Sequence, residues 1–215
     1  MNDGGGEDPE REEWEKLLKV WEGELRHRRG ADYRLEAALA VSTCLSAMGK
    51  HEEALAKLDE FAPKRPSPAL MGAWLNGRAY QLTMLGRAEA ALYHLEDAVV
   101  LSDEETPAGR SLAGCIAGTR GIAMLRLGRL AEAETLLQQA LEIGSSAVAA
   151  EDWENGPVSQ QERFLESERW YWLAEVAERQ GQAEEAERRL KRAAEARGPY
   201  ANRAAAQLAE RGRER

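Results

Sequence analysis

The sequence predicts an all-α fold of antiparallel helical hairpins stacked as a short α-solenoid, with about four units and a capping helix at each end. Three observations carry this. Ala, Leu, Glu and Arg dominate the 215 residues, and all four are strong helix formers. All seven prolines (Pro9, Pro63, Pro66, Pro68, Pro107, Pro157 and Pro199) fall between stretches of helical periodicity, and Pro is costly inside a helix but suited to its first turn. Four times, a glycine is followed by Ala five residues on and Leu nine residues on: Gly49 with Ala54 and Leu58, Gly86 with Ala91 and Leu95, Gly128 with Ala133 and Leu137, Gly181 with Ala186 and Leu190.

Taken in order, the spacing predicts a first helix over 9–28, amphipathic through Trp14, Leu17, Leu18, Trp21 and Leu25. Helices over 33–48 and 51–62 meet at Gly49, and Pro63, Pro66 and Pro68 end the second. Helices over 68–85 and 88–101 meet at Gly86, and those over 108–127 and 130–143 meet at Gly128. A long connection over 144–159 precedes helices at 160–180 and 183–196, which meet at Gly181. The last helix, 200–211, carries Tyr200, Ala204, Ala205 and Leu208 and reads as a cap over the final hairpin. No segment reads as a strand, because Val and Ile are scarce and alternation never holds for five residues.

The repeated offsets have a mechanical meaning. A glycine closes the first helix because it adopts the left-handed cap at little cost. The Ala at +5 permits close approach of the second helix, and the Leu at +9 fills the seam. At +12 stand Phe61, Ala98, Ala140 and Ala193. One hairpin cannot bury its own apolar face, so the hairpins must stack.

Composition narrows the function classes. Hydrophobic residues make up 43% and charged residues 31%, which describes a globular chain with a charged surface. The net charge of −9 argues against nucleic acid as a partner. Residues 1–24 carry nine acids against three bases, and residues 188–215 carry nine bases against three acids, so the two ends attract. The start, Met1 to Asp8, is a polar acidic tail expected to be disordered, without the basic and apolar regions of a signal peptide. No apolar run is long enough for a membrane span, and a cytoplasmic location is expected. Cys44 and Cys115 lie in apolar helical stretches and read as small buried thiols.

Signs of chemistry are sparse. His27, His51 and His94 have no ligand-spaced neighbours, so no metal is expected. Phosphate-cradling and nucleophile-elbow motifs are missing, so no catalytic residues and no cofactor are expected. Carboxylates fall mainly on helical faces with Arg or Lys three or four residues away, as with Glu184, Glu185 and Glu187 beside Arg188, Arg189 and Arg192; these read as solvated pairs. Gly114, Gly118 and Gly121 on one helix indicate close helix packing. Arg78 and Arg120, each eight residues before a repeat glycine, suit either a clamp for an acidic peptide or a packed stem with its head on a Glu; the second is preferred.

The pattern resembles the tetratricopeptide repeat family. The fourth unit shows it best, with Trp170-x-x-Leu173-Ala174, Gly181, Ala186, Leu190 and Ala193. The third offers Gly121, Gly128, Ala133, Leu137 and Ala140, the second Ala79, Gly86, Ala91, Leu95 and Ala98, and the first Gly49, Ala54, Leu58 and Pro66. The resemblance covers residues 35–198. The glycines are spaced by 37, 42 and 53 residues, so the surplus over the regular period of about 34 falls in the connections. It implies a right-handed solenoid with a capping helix over 9–30, hairpins over 31–198, and a C-terminal helix with a basic tail over 199–215.

The resemblance also implies function. It places Asn76, Tyr80 and Thr83 of the second unit, Ile122 and Arg126 of the third, and Tyr171 and Glu175 of the fourth on the concave side. The implied role is an adaptor, scaffold or chaperone-like module that binds a peptide or helix of another protein, with no small-molecule cofactor. The alternative is a structural protein that self-assembles through its oppositely charged ends, as a homo-oligomer.

Overall fold

The computed structural model describes residues 9–213 except 28, 65, 103, 152–155 and 197. The tail over 1–8, expected to be disordered, lies outside the described residues. The described residues form ten helices and no strands. They are α1 Pro9–His27, α2 Ala31–Ala47, α3 His51–Glu60, α4 Pro68–Met84, α5 Ala88–Val100, α6 Pro107–Arg126, α7 Leu130–Ala149, α8 Pro157–Arg179, α9 Ala183–Glu195 and α10 Ala201–Arg213.

The hairpins are α2–α3, α4–α5, α6–α7 and α8–α9, and each turns at its repeat glycine. Gly49, Gly86, Gly128 and Gly181 all have φ of 75–76°. The next amide reaches back five residues in every case: Lys50 N–H to the Leu45 carbonyl at 2.9 Å, Arg87 to Leu82 at 2.8 Å, Arg129 to Met124 at 2.9 Å and Gln182 to Ala177 at 2.9 Å. This is the Schellman closure, and it satisfies carbonyls that the helix end leaves free. A Cβ at any of the four would meet nothing within 4 Å, so backbone conformation and not space selects glycine there. At the opposite ends, Ser67 and Thr106 accept from the amides of Leu70 and Gly109, with Pro68 and Pro107 in the first turn.

The first helices of the hairpins, α2, α4, α6 and α8, touch one another in succession and form the inner layer; α3, α5, α7 and α9 form the outer one. The repeat positions make the seam. Ala54, Ala91, Ala133 and Ala186 are fully buried, as are Leu58, Leu95, Leu137 and Leu190. Leu137 fills the space a side chain at Gly121 would take, since a Cβ there would lie 2.7 Å from Leu137 Cγ. Gly121 is therefore a packing glycine, as the sequence suggests. An Ala133→Leu substitution overpacks this seam and is expected to cost about 1–3 kcal/mol. Chemical denaturation measures it, and an unchanged midpoint would refute the seam.

Two boundaries differ from expectation. α7 continues to Ala149, beyond the expected end at 143, and α8 begins at Pro157. Gly144 reads as a breaker in the sequence but lies inside α7, because the Glu162 and Arg169 side chains of α8 occupy the space its Cβ would take. Most of the supposed connection over 144–159 is thus helix. Past α7, the Glu151 carboxylate accepts from the Val158 amide at 3.0 Å near the start of α8.

A second correction concerns Arg189, expected on a solvated face. It is buried, and it joins Glu134 of α7 at 2.5 Å, Glu185 at 2.7 Å and the Leu173 carbonyl of α8 at 3.0 Å, so it ties the third hairpin to the fourth.

Candidate binding groove

The inner helices curve around a concave face and enclose a cavity of about 480 Å³. Its walls are mostly apolar. They include Leu39 of α2, Leu112 and Ile122 of α6, and Phe164, Leu165 and Trp172 of α8. Polar groups enter from Ser42, Asn76, Tyr80, Thr119, Glu168 and Arg169.

Two contacts join distant helices beside the cavity. Trp14 of α1 meets Phe164 of α8 edge-on, with ring centroids 5.4 Å apart, so the N-terminal cap reaches the last hairpin. Across the groove, the Tyr80 hydroxyl of α4 donates to Glu168 Oε1 of α8 at 2.5 Å and lies 3.0 Å from the Tyr200 hydroxyl. Burial raises the Glu168 carboxyl above its ordinary range, opposed by the hydrogen bond from Tyr80. Burial, with the Glu168 charge beside them, raises both phenols, which therefore remain protonated donors.

At the wall of the cavity lies a buried ion pair, Arg169 with Glu162. Arg169 Nη1 donates to Glu162 Oε2 at 2.5 Å, both side chains being about 95% shielded (5% and 4% exposed), and Ser111 Oγ donates to Glu162 Oε1 at 2.6 Å. Three glycines make room: a Cβ at Gly144 would overlap the pair, and those at Gly114 and Gly118 would face the Arg169 guanidinium at 3.2 and 3.9 Å. Gly114 and Gly118 of α6 therefore make room for an arginine. The sequence held a signal for this pair, an acid and a base seven residues apart on one face of α8, but not for its burial.

The expected concave residues divide into three groups. Asn76, Tyr80 and Ile122 line the cavity. The Asn76 side-chain oxygen is buried with no hydrogen-bond partner. Tyr171 packs against Tyr200 and Trp172 at 5.1 and 5.3 Å, and Arg126 stacks over Trp172 at 5.0 Å, so both flank the cavity. Glu175 pairs with Arg179 at 2.9 Å along its own helix. Thr83 is a correction: it is fully buried and bonds the Ala79 carbonyl at 2.8 Å, so it presents nothing to a partner. The stripe from Asn76 to Tyr80 ends there because the next turn of α4 dips into the core. Tyr200 is the residue the sequence misplaced, since it enters the concave face as well as capping the last hairpin.

The remaining polar candidates are engaged elsewhere. Arg78 pairs with Asp59 at 2.7 Å and stacks over Trp74 at 5.0 Å, away from the cavity. His51 bonds Gln81 at 2.9 Å and His27 bonds the Gly23 carbonyl at 2.8 Å. Burial pushes both the Cys44 and Cys115 thiols up to about 11, so they stay neutral near pH 7. Among the described residues, no group of three His, Cys, Asp or Glu is placed to hold a metal, and no helix is long and apolar enough to cross a membrane.

Comparison with known proteins adds the fold. No family model and no curated protein matches the sequence. The structure of Bacillus thuringiensis PlcR in complex with the peptide PapR7 and DNA is similar, with a TM-score of 0.60 at 13% identity over 85% of this chain. This chain spans 63% of that one. Nearly identical TPR-like repeats of a putative kinesin light chain from Podosopora anserina align over 85% of this chain at 21% identity, with a TM-score of 0.46. With four glycine-closed hairpins stacked in series, the chain has a tetratricopeptide-type helical-repeat fold.

Proposed function

We propose that this protein is an interaction module, an adaptor or scaffold without catalysis of its own, that takes a short extended segment of another protein into its concave cavity. The observation that carries the reading is the cavity itself. Its volume lies in the range of pockets that hold a small ligand or a few residues. Its apolar walls surround a side-chain amide, Asn76, whose buried oxygen has no partner. A peptide main chain supplies both a donor and an acceptor at every residue, which suits such an amide. The cross-groove contacts favour an extended segment over a helix, whose diameter is about 10–12 Å. PlcR, similar in fold over part of its length, is solved in complex with the peptide PapR7 and DNA, which supports the reading. A cytoplasmic setting fits this reading.

Asn76→Ala tests it. Tyr80 is unsuitable as the first target because its hydroxyl joins Glu168 and Tyr200. Capture from native lysate identifies the partner, and calorimetry with the partner's segment gives the affinity. The variant is expected to bind about five- to tenfold more weakly, the worth of one net hydrogen bond, with little change in melting temperature. Equal binding by wild type and variant would overturn the groove reading.

A second reading, assembly through the charged ends, has one observation behind it. Leu17 and Val20 on the acidic α1 are 40% and 59% exposed. Size that grows with concentration and falls with salt would support it.

A further inference from the structure

The chain leaves α9 at Ala196 in an extended conformation and crosses the inner face of α8. Gly198 has φ of 145°, and a Cβ there would overlap the Phe164 carbonyl and the Ser167 hydroxyl, so the backbone lies flat on α8. Tyr200 follows and is only 4% exposed. Its ring packs on Tyr171 at 5.1 Å and Trp172 at 5.7 Å, and its hydroxyl meets Tyr80 at 3.0 Å. These neighbours include two concave positions, Tyr80 and Tyr171, that the repeat pattern assigns to a partner.

The contact is unusual for a solenoid, where each repeat ordinarily touches only its neighbours. Tyr80 belongs to the second hairpin, whereas Glu168 lies in the fourth and Tyr200 beyond it. Among the described residues, α10 itself packs on α9 and α8. Its apolar contribution is small, namely buried Ala204 and partly buried Leu208 against Ala174, Leu190 and Ala193. Tyr200 anchors the start of this segment and Arg211, paired with Glu178 of α8, its end, and the hydroxyls connect Tyr200 to α4.

We propose that residues 198–203 form an intramolecular strap along the C-terminal part of the concave groove, where Pro199, Tyr200 and Arg203 line the cavity, that the Tyr80–Glu168–Tyr200 clasp holds it there, and that the rest of α10 is anchored behind it. A partner segment gains the Tyr171–Trp172 floor only when the clasp opens. This regulation rests on the groove being the binding face, but the clasp itself is testable in the free protein. Occupancy of the groove at Tyr80 or Glu168 then competes with the strap and releases α10.

Amide hydrogen exchange on the full chain, read by mass spectrometry, is the test. Tyr80→Phe and Tyr200→Phe each keep the ring and remove the Tyr80–Tyr200 hydroxyl contact that links the strap to α4; Tyr80→Phe also removes the Tyr80–Glu168 bond between α4 and α8. Exchange over 201–213 is expected to rise about tenfold in both variants, with α2 and α3 unchanged. Binding of the apolar dye bis-ANS is expected to rise in both variants as the floor is uncovered. Unchanged α10 exchange in Tyr80→Phe, or an equal rise over all helices, would overturn the strap. Neither result bears on partner capture at Asn76, so failure of the strap and failure of the groove reading are distinguishable.

Discussion

Replacing Arg169 with methionine is expected to lower stability by about 3–5 kcal/mol. The guanidinium is the cation facing Glu162, and both side chains are about 95% buried. Removing it leaves a carboxylate in a low-dielectric site with, among the described residues, the Ser111 hydroxyl as donor. Desolvation of that charge, and not the lost attraction alone, sets the size of the effect. The companion experiment is Arg169→Met with Glu162→Leu. Removing both charges is expected to restore most of the loss, because a buried ion pair and a well-packed apolar pair are often near equal in stability. Urea midpoints at constant slope measure both variants. A single-variant cost under about 1 kcal/mol would mean the pair is solvated, contrary to its placement.

Leu137→Ala is expected to cost about 2–5 kcal/mol through lost burial and the cavity left behind. Leu137 has no exposed surface, packs against Gly121 across the α6–α7 seam and also contributes to the groove wall. Glycine at position 121 cannot fill the void, and α6 is held on its other sides by α4 and α8. For a chain of this length the loss corresponds to a melting temperature lower by roughly 10 °C. Leu17→Ala is the control: Leu17 is 40% exposed, and the change is expected to stay within about 0.5 kcal/mol. Similar costs at the two sites would contradict the repeat seam.

The repeat was legible because it is written in local chemistry. A glycine at φ near 76° and the alanines and leucines that follow depend only on neighbours within one hairpin, so their offsets recur in sequence. The groove was partly legible for the same reason, since Asn76 and Tyr80 share one helical face. What escaped depends on contacts between hairpins. Gly144 looks like a helix breaker until the Glu162–Arg169 pair is seen to fill its side-chain space. Arg189 sits in a run of charges that fits a solvated face, yet Glu134, from 55 positions earlier, draws it inward. Tyr200 carried the signature of a cap, and nothing near it in sequence indicates a partner 120 positions away. Thr83 failed in the opposite direction: helical periodicity continued the stripe, but burial of the last turn of α4 ended it.

The most direct test of the groove as the binding face is site-specific photo-crosslinking. Benzoylphenylalanine is placed at Gln161, an exposed residue that lines the cavity, and separately at Tyr93, which is 69% exposed on the outer helix α5. The groove reading predicts that position 161 captures one partner protein from native lysate and that position 93 does not. Capture from position 93 with none from 161, or capture of only a second copy of this chain from either position, would contradict it.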